Sequence, residues 1–172
     1  MGDDNTASGN GTSPAQPGSG GTRTGEPEPW LAQALVHESP EAIVVADPEG
    51  IILVWNSGAE RMFGHSATEA VGAGLDLIIP EKLRERHGKG YRQTAATGRT
   101  RYGDKLLAVP ATHRDGHRPS IEFTVALLHD ESGRLAGISA IMREVTERRD
   151  TEKALRMRLA ELERRLPQTS PA

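Results

Sequence analysis

The chain has 172 residues, a net charge of −3, 35% hydrophobic and 26% charged side chains, two each of Trp, Tyr and Phe, and no cysteine. That length carries one domain of ordinary size plus tails. The missing cysteine excludes disulfides, thiolate metal sites, covalent c-type heme attachment and a cysteine nucleophile. The near-neutral balance speaks against a nucleic-acid footprint, and no apolar run nears the roughly 20 residues that span a bilayer. Met1-Gly2-Asp3-Asp4 has neither a basic nor an apolar leader segment, so no secretory signal is expected. We expect a cytoplasmic protein that contacts neither nucleic acid nor membrane.

Residues 1–29 are Gly, Ser, Thr and Pro with few apolar side chains. These cannot offset the entropy of ordering the segment, so a disordered tail is expected. Trp30 is the first large apolar residue, and Leu31, Ala34 and Leu35 follow at helical spacing. They predict a short amphipathic cap helix that ends before Pro40. Ala42 to Ala46 and Ile51 to Trp55 are apolar, β-branched runs either side of Asp47-Pro48-Glu49-Gly50. There Pro presets φ and Gly supplies φ > 0, so the segment predicts a β-hairpin. Ser57 to Phe63 predicts a short helix stopped by Gly64, and Ser66 and Glu69 have the spacing of a capping box. Ile79-Pro80-Glu81 starts a longer helix, with Pro near its first turn and an acid favourable to the dipole. It should run to about Ala96 and stop at Thr97-Gly98.

Tyr102 to Thr112 reads as one extended stretch and Arg114-Asp115-Gly116 as a turn. Ser120 to Leu128 alternates, with Ile121, Phe123, Val125 and Leu127 on one face, and Leu135 to Val145 is the final strand after a turn at 130–133. One hairpin before a helical middle and two after it describe an α+β domain over residues 30–145, an antiparallel sheet with helices on one side. Residues 146–166 are highly charged, with Leu155, Leu159, Leu162 and Leu166 stepping by 4, 3 and 4 as an a/d seam closed by Pro167, and 167–172 form a tail. Such a stripe either folds back on its own domain or pairs with a second copy. We expect the coiled-coil stalk of a parallel homodimer, because the helix continues straight from the last strand.

The hairpin Ile43 to Asn56, then Ala59-Glu60-Arg61-Met62-Phe63-Gly64 and Glu69-Ala70-Val71-Gly72, resembles the start of a PAS domain. Arg114-Asp115-Gly116 and the run from Gly137 to Arg148 resemble its closing strands and their Asp-Ile-Thr-Glu-Arg type signature, with Glu144 where Asp is usual. The resemblance covers about residues 35 to 149. It implies a five-stranded antiparallel sheet of order 2-1-5-4-3, with helices cradling one face and any ligand held between the sheet and the helix near Pro80. It also implies a sensor or dimerisation module that passes its signal through a C-terminal helix.

A narrower resemblance lies in Ile79-Pro80-Glu81-Lys82-Leu83-Arg84-Glu85-Arg86-His87. It is similar to the heme helix of PAS gas sensors, the oxygen-sensing histidine kinases of nitrogen fixation and the heme-regulated cyclic-dinucleotide phosphodiesterases. By that resemblance His87 is the proximal ligand of heme b. Residue spacing alone puts Leu83, His87 and Tyr91 on one helix face, and neutral imidazole suits a single axial position on heme iron. Gly88 and Gly90 remove bulk beside the ring, at about 1 kcal/mol each of helix propensity against Ala. The plain alternative is a solvated histidine after the charged run Arg84-Glu85-Arg86.

The chain departs from those sensors at the distal side. Leu107 stands where they carry an arginine that hydrogen-bonds oxygen, and Lys105 where the phosphodiesterases carry a methionine ligand. An apolar distal wall offers no hydrogen bond to a polarised diatomic, so the pocket suits CO, NO or redox sensing better than tight oxygen binding. Phe123 and Val125 should line that side, with Tyr102 near enough to donate a hydrogen bond. Arg101 matches a propionate-contacting basic residue of the oxygen-sensing kinases.

The other histidines carry less. His113 and His117 bracket the turn at 114–116 and should be exposed, His37, His65 and His129 sit at element ends, and none is expected to form a zinc site. There is no nucleophile elbow, P-loop or dinucleotide fingerprint, so no enzyme is expected. Flavin photochemistry is disfavoured without an adduct-forming cysteine. No kinase, cyclase or helix-turn-helix segment follows residue 166, so output is expected in trans, through a kinase or regulator. The competing function is a cofactor-free or metabolite-binding module that dimerises.

Overall fold

The computed structural model describes residues 28–100 and 105–165. Asp47 closes the first hairpin: its Oδ1 accepts the backbone N–H of Glu49 at 3.0 Å and of Ile51 at 2.8 Å. This is the Asx chemistry that short polar side chains bring to turns. The hairpin pairs β1 (Ala42–Ala46) with β2 (Ile52–Trp55), with a bulge between Val45 and Ala46. The far edge of β2 is covered by the chain at 72–75, since Gly72 N–H donates to the Ile52 carbonyl and Ile52 N–H to the Ala73 carbonyl, both at 2.9 Å. A covered edge cannot template pairing with another chain.

Helix α1 (Pro29–Glu38) precedes the hairpin, and α2 (Ser57–Phe63) and α3 (Ala67–Ala70) follow it. A 3₁₀ turn at Leu75–Leu77 leads into α4 (Glu81–Thr97), which Gly98 ends in the left-handed conformation. Strands β3 (Leu107–Pro110), β4 (Ser120–His129) and β5 (Leu135–Glu144) complete a sheet of order β2-β1-β5-β4-β3, every pair antiparallel. That is the strand order the resemblance implies. Helix α5 (Thr146–Arg165) leaves from the end of β5. Among the described residues no helix is long and apolar enough to cross a membrane.

The sheet shows one face to the helices through alternation: Val44 and Ala46 on β1, Ile138 and Met142 on β5, and Ile121 on β4 are all buried. Helices α2 and α3 fill the β1–β2 end of that face with Ala59, Phe63 and Ala70, and the Trp55 and Phe63 rings lie 5.4 Å apart. Asn56 joins the layers. Its Oδ1 caps α2 through Ala59 N–H at 2.9 Å and accepts Ile43 N–H at 2.8 Å, while its Nδ2 donates to the carbonyls of Val36 and Glu41, each at 2.9 Å. Helix α2 crosses so close to β1 that a Cβ on Gly58 would stand 2.2 Å from the Glu41 carbonyl oxygen. Gly58→Ala is therefore expected to lose about 2 kcal/mol in urea denaturation, the scale of an overpacked core.

Two expectations change, at β3 and at α1. The stretch from Tyr102 is a strand only at Leu107–Pro110 in its described part. Beyond Pro110, Ala111 N–H still donates to the Pro119 carbonyl, but Thr112 N–H turns to the Ile78 carbonyl, each at 2.9 Å. Helix α1 forms, yet it buries no residue and leaves Trp30 67% exposed, because its anchors are backbone carbonyls held by Asn56 and Ser57. Helix α5 does not fold back: Leu155, Leu159 and Leu162 are all exposed. Among the described residues its ties to the sheet stop at Thr146 Oγ1, which accepts Ser120 N–H at 2.9 Å, and the Arg148–Glu122 ion pair. Leu166, Pro167 and the segments 1–27 and 167–172 lie outside the described residues.

Candidate functional site: an apolar cavity under an imidazole-bearing helix

Helix α4 buries no residue completely, so it stands off the sheet. The space beneath it is a cavity of about 360 Å³. The sheet supplies an apolar floor from Val44, Ala140 and Met142, with Leu107, Phe123 and Val125 as a side wall. Leu107 pairs with Phe123 in the β3–β4 register, which places their side chains on the same face. Helix α4 supplies the roof through Leu83, His87 and Tyr91, the one-face set its spacing predicts. The structure thus brings together His87, Tyr91, Leu107, Phe123 and Val125. Arg101 and Tyr102 lie outside the described residues.

His87 sits half-buried, and no hydrogen bond to its ring occurs among the described residues. Burial lowers its pKa from the usual 6.5, against an opposing pull from the Asp76 carboxylate. Desolvation penalises the charged form, so the ring is neutral at physiological pH, the form that ligates metals. The ring also borders a second, more polar hollow of about 340 Å³ lined by Glu49, Asp76 and Arg84. It therefore stands at the boundary between apolar cavity and surface.

Tyr91 has a structural task besides lining. Its hydroxyl faces the carbonyl oxygens of Ala46 at 3.1 Å and Asp47 at 2.6 Å, tying α4 to the first hairpin. Burial, with the Asp47 and Glu49 carboxylates, pushes its pKa up, so the phenol stays protonated and keeps donating. The ring centroids of His87 and Tyr91 lie 5.9 Å apart.

The two glycines beside His87 part company. Gly90 lines the cavity, and a Cβ there meets nothing within 4 Å, whereas Gly88 borders the outer hollow and a Cβ there would meet Arg92 Nη1 at 3.2 Å. Both alanine variants are expected to gain up to about 1 kcal/mol of helix stability in thermal melts. Only Gly90→Ala, which intrudes on the cavity, should weaken ligand uptake. Equal effects of the two variants on uptake would show that the ligand lies elsewhere.

Sequence reasoning missed a second cluster. The turn after β3 brings His113 and His117 to one side of Asp115, whose Oδ1 lies 2.9 Å from His113 Nδ1 and 2.5 Å from His117 Nδ1. His113 is not exposed as expected: its side chain keeps only 18% exposure, packed on Gly64. The signal was the four-residue spacing across a turn-forming Arg-Asp-Gly, which a helix-based reading of metal motifs passes over.

The family model for the PAS fold matches residues 36–150. The chain belongs to the PAS family. A curated relative in Azorhizobium caulinodans, named only as an uncharacterised protein, is 34% identical over 124 residues, which is 72% of this chain and 17% of that protein. The sensor protein FixL of Bradyrhizobium diazoefficiens is 28% identical over 130 residues, 76% of this chain and 25% of FixL. The chain thus spans a quarter or less of the lengths of these two relatives. Among solved structures, the PAS domain of a Colwellia psychrerythraea protein superposes with a TM-score of 0.60 at 24% identity, covering 69% of this chain and 97% of that one. This PAS domain is a sensor-type signalling module.

Proposed function

We propose that this PAS module binds heme b through His87 and senses a diatomic gas or redox state. The observation that carries the reading is the His87 imidazole at the roof of an apolar cavity, with no hydrogen bond to its ring among the described residues. The donor chemistry fits: His87 would supply a nitrogen ligand, the apolar walls would take a flat macrocycle, and Arg86, which also lines the cavity, would face an anionic edge. Iron held there would supply the redox and gas-ligating chemistry. The chain's own residues hold and orient it: Tyr91 fixes the height of α4, and Leu107, Phe123 and Val125 exclude water from the far side. A signal shifts the protein only by its differential affinity for two arrangements of the sheet and α5. The reading includes a homodimer paired through α5 and a kinase or regulator engaged in trans. Hemin titration of the full chain tests it: a Soret band should saturate at one heme per chain. A protein that stays colourless ends the heme reading.

One observation favours a second reading. The cavity lies near the lower end of the roughly 300–1,000 Å³ range of small-molecule sites. A small apolar metabolite, with dimerisation as the output, matches that volume. Both readings rest on α5 as the pairing element. Its exposed seam is flanked by ion pairs such as Arg165–Glu161 at 2.6 Å, each worth a few tenths of a kcal/mol, and an unpartnered helix of this length is marginal. A chain ending after Arg149 keeps the Thr146 and Arg148 contacts, and it is expected to sediment as a monomer where the full chain is a dimer. Equal dimerisation of both chains would remove α5 from the account.

A further inference from the structure

We propose that His113, Asp115 and His117 form a binding site for one divalent transition-metal ion of the Zn²⁺, Ni²⁺ or Cu²⁺ class. This site is separate from the cavity under α4 and does not depend on what that cavity holds.

The three residues lie in the turn between β3 and β4, and their donor atoms all fall within 4.8 Å of one another. Both imidazoles turn Nδ1 to the same carboxylate oxygen, and their rings stack with centroids 4.2 Å apart. Metal–ligand bonds of about 2.1 Å put neighbouring donor atoms roughly 2.9 to 3.4 Å apart. The His113 Nδ1 to Asp115 Oδ1 separation of 2.9 Å already has that spacing. The His117 separation of 2.5 Å needs to open by a few tenths of an ångström, which its half-exposed side chain can do.

The turn is built to hold this arrangement. His113 N–H donates to the His117 carbonyl at 3.0 Å, and Gly116 N–H to the His113 carbonyl at 2.9 Å. The opposite edge of the His113 ring lies against Gly64, where a Cβ would come within 2.6 Å of Nε2, so Nδ1 is the nitrogen left facing the cluster. That Nδ1 accepts Asp115 N–H at 3.2 Å. Asp115 Oδ1 also accepts the His117 backbone N–H at 3.0 Å, which holds the carboxylate between the two rings. The cation within the turn, Arg114, is turned away and paired with Glu69 at 2.9 Å.

Two imidazoles and one carboxylate select an ion of borderline softness over Ca²⁺ or Mg²⁺, which take oxygen ligands. Three protein ligands leave positions for water or for a donor from outside the chain. The turn is also fixed to the helical layer, since Arg114 N–H donates to the Phe63 carbonyl and Thr112 N–H to the Ile78 carbonyl, each at 2.9 Å. Metal in the turn therefore clamps β3, a wall of the ligand cavity, to the end of α2.

The test uses the full chain, stripped with chelator, free of hemin, and titrated with zinc sulfate by calorimetry. One high-affinity equivalent per chain is expected. His117→Ala and Asp115→Asn should each weaken it at least tenfold, and His129→Ala, an exposed histidine outside the turn, should not. Cobalt(II) in place of zinc should give visible absorption that His117→Ala removes. Unchanged zinc affinity in His117→Ala and Asp115→Asn, or no binding by the wild type below about millimolar zinc, overturns the proposal. His117 and Asp115 are surface residues, so these variants fold, and melts without metal check that they do.

Discussion

His87→Ala is expected to reduce hemin affinity by at least about a hundredfold and to abolish the saturating Soret band, with little change in thermal stability. The magnitude follows from the bond removed: even a partner that only orients a metal ligand is worth 10- to 100-fold, and the ligand itself is worth no less. Stability should hold because the ring makes no hydrogen bond among the described residues and sits half-buried at a cavity edge. The pH dependence has a defined sign. Burial lowers the folded pKa of His87 below 6.5, so the unfolded chain takes up the proton first as pH falls. Folding stability from this group is therefore full above the ordinary value and declines as pH drops through and below it. Hemin affinity should likewise stay flat through neutrality and fall only in acid, measured by absorbance titration. A His87→Ala protein that binds hemin as tightly as the wild type would transfer ligation to another residue and remove the main support for the heme reading.

Asn56→Ala should be the most damaging single substitution in the core, costing about 3 kcal/mol and roughly 10 °C in melting temperature. The amide is completely buried and makes four hydrogen bonds to three segments. Its loss removes an N-cap worth about 1 kcal/mol and leaves two carbonyls and an amide N–H short of a partner, each costing about 1 kcal/mol or more. Asn56→Asp keeps the acceptor for Ile43 and Ala59 but points a carboxylate at the Val36 and Glu41 carbonyls, so it should be nearly as costly. Urea or thermal denaturation measures both. A loss under about 1 kcal/mol for Asn56→Ala would mean that water replaces the amide and that the junction is less dry than its burial indicates.

Local chemistry was legible from the sequence wherever the cause was local. The turn at 47–50 was readable because Asp47 satisfies its own neighbours. The capping at Ser66 was readable because Glu69 reaches back only three residues, its carboxylate accepting Ser66 N–H at 2.9 Å. The start and stop of α4 followed from Pro80 and Gly98. The cavity-facing set of Leu83, His87 and Tyr91 followed from helical period alone, and Phe123 and Val125 from strand alternation.

Other features depended on residues distant in sequence. Asn56 reads as an ordinary N-cap until its Nδ2 is found 20 residues back, at the Val36 carbonyl. Tyr91 reads as a cavity residue until its hydroxyl is found 45 residues back, on Ala46. The turn at 113–117 needed Gly64 beneath the His113 ring to fix which nitrogen faces Asp115.

Propensity, period and turn chemistry within a few residues set the helices, four of the five strands and the face that carries the imidazole, while the third strand is shorter in its described part than its extended stretch reads. Packing between distant segments decided that a cavity opens under α4 and that α1 stays exposed. Those outcomes depend on how volumes fill between elements far apart in the chain, and close packing at the β1–β2 end leaves the space at the other end open.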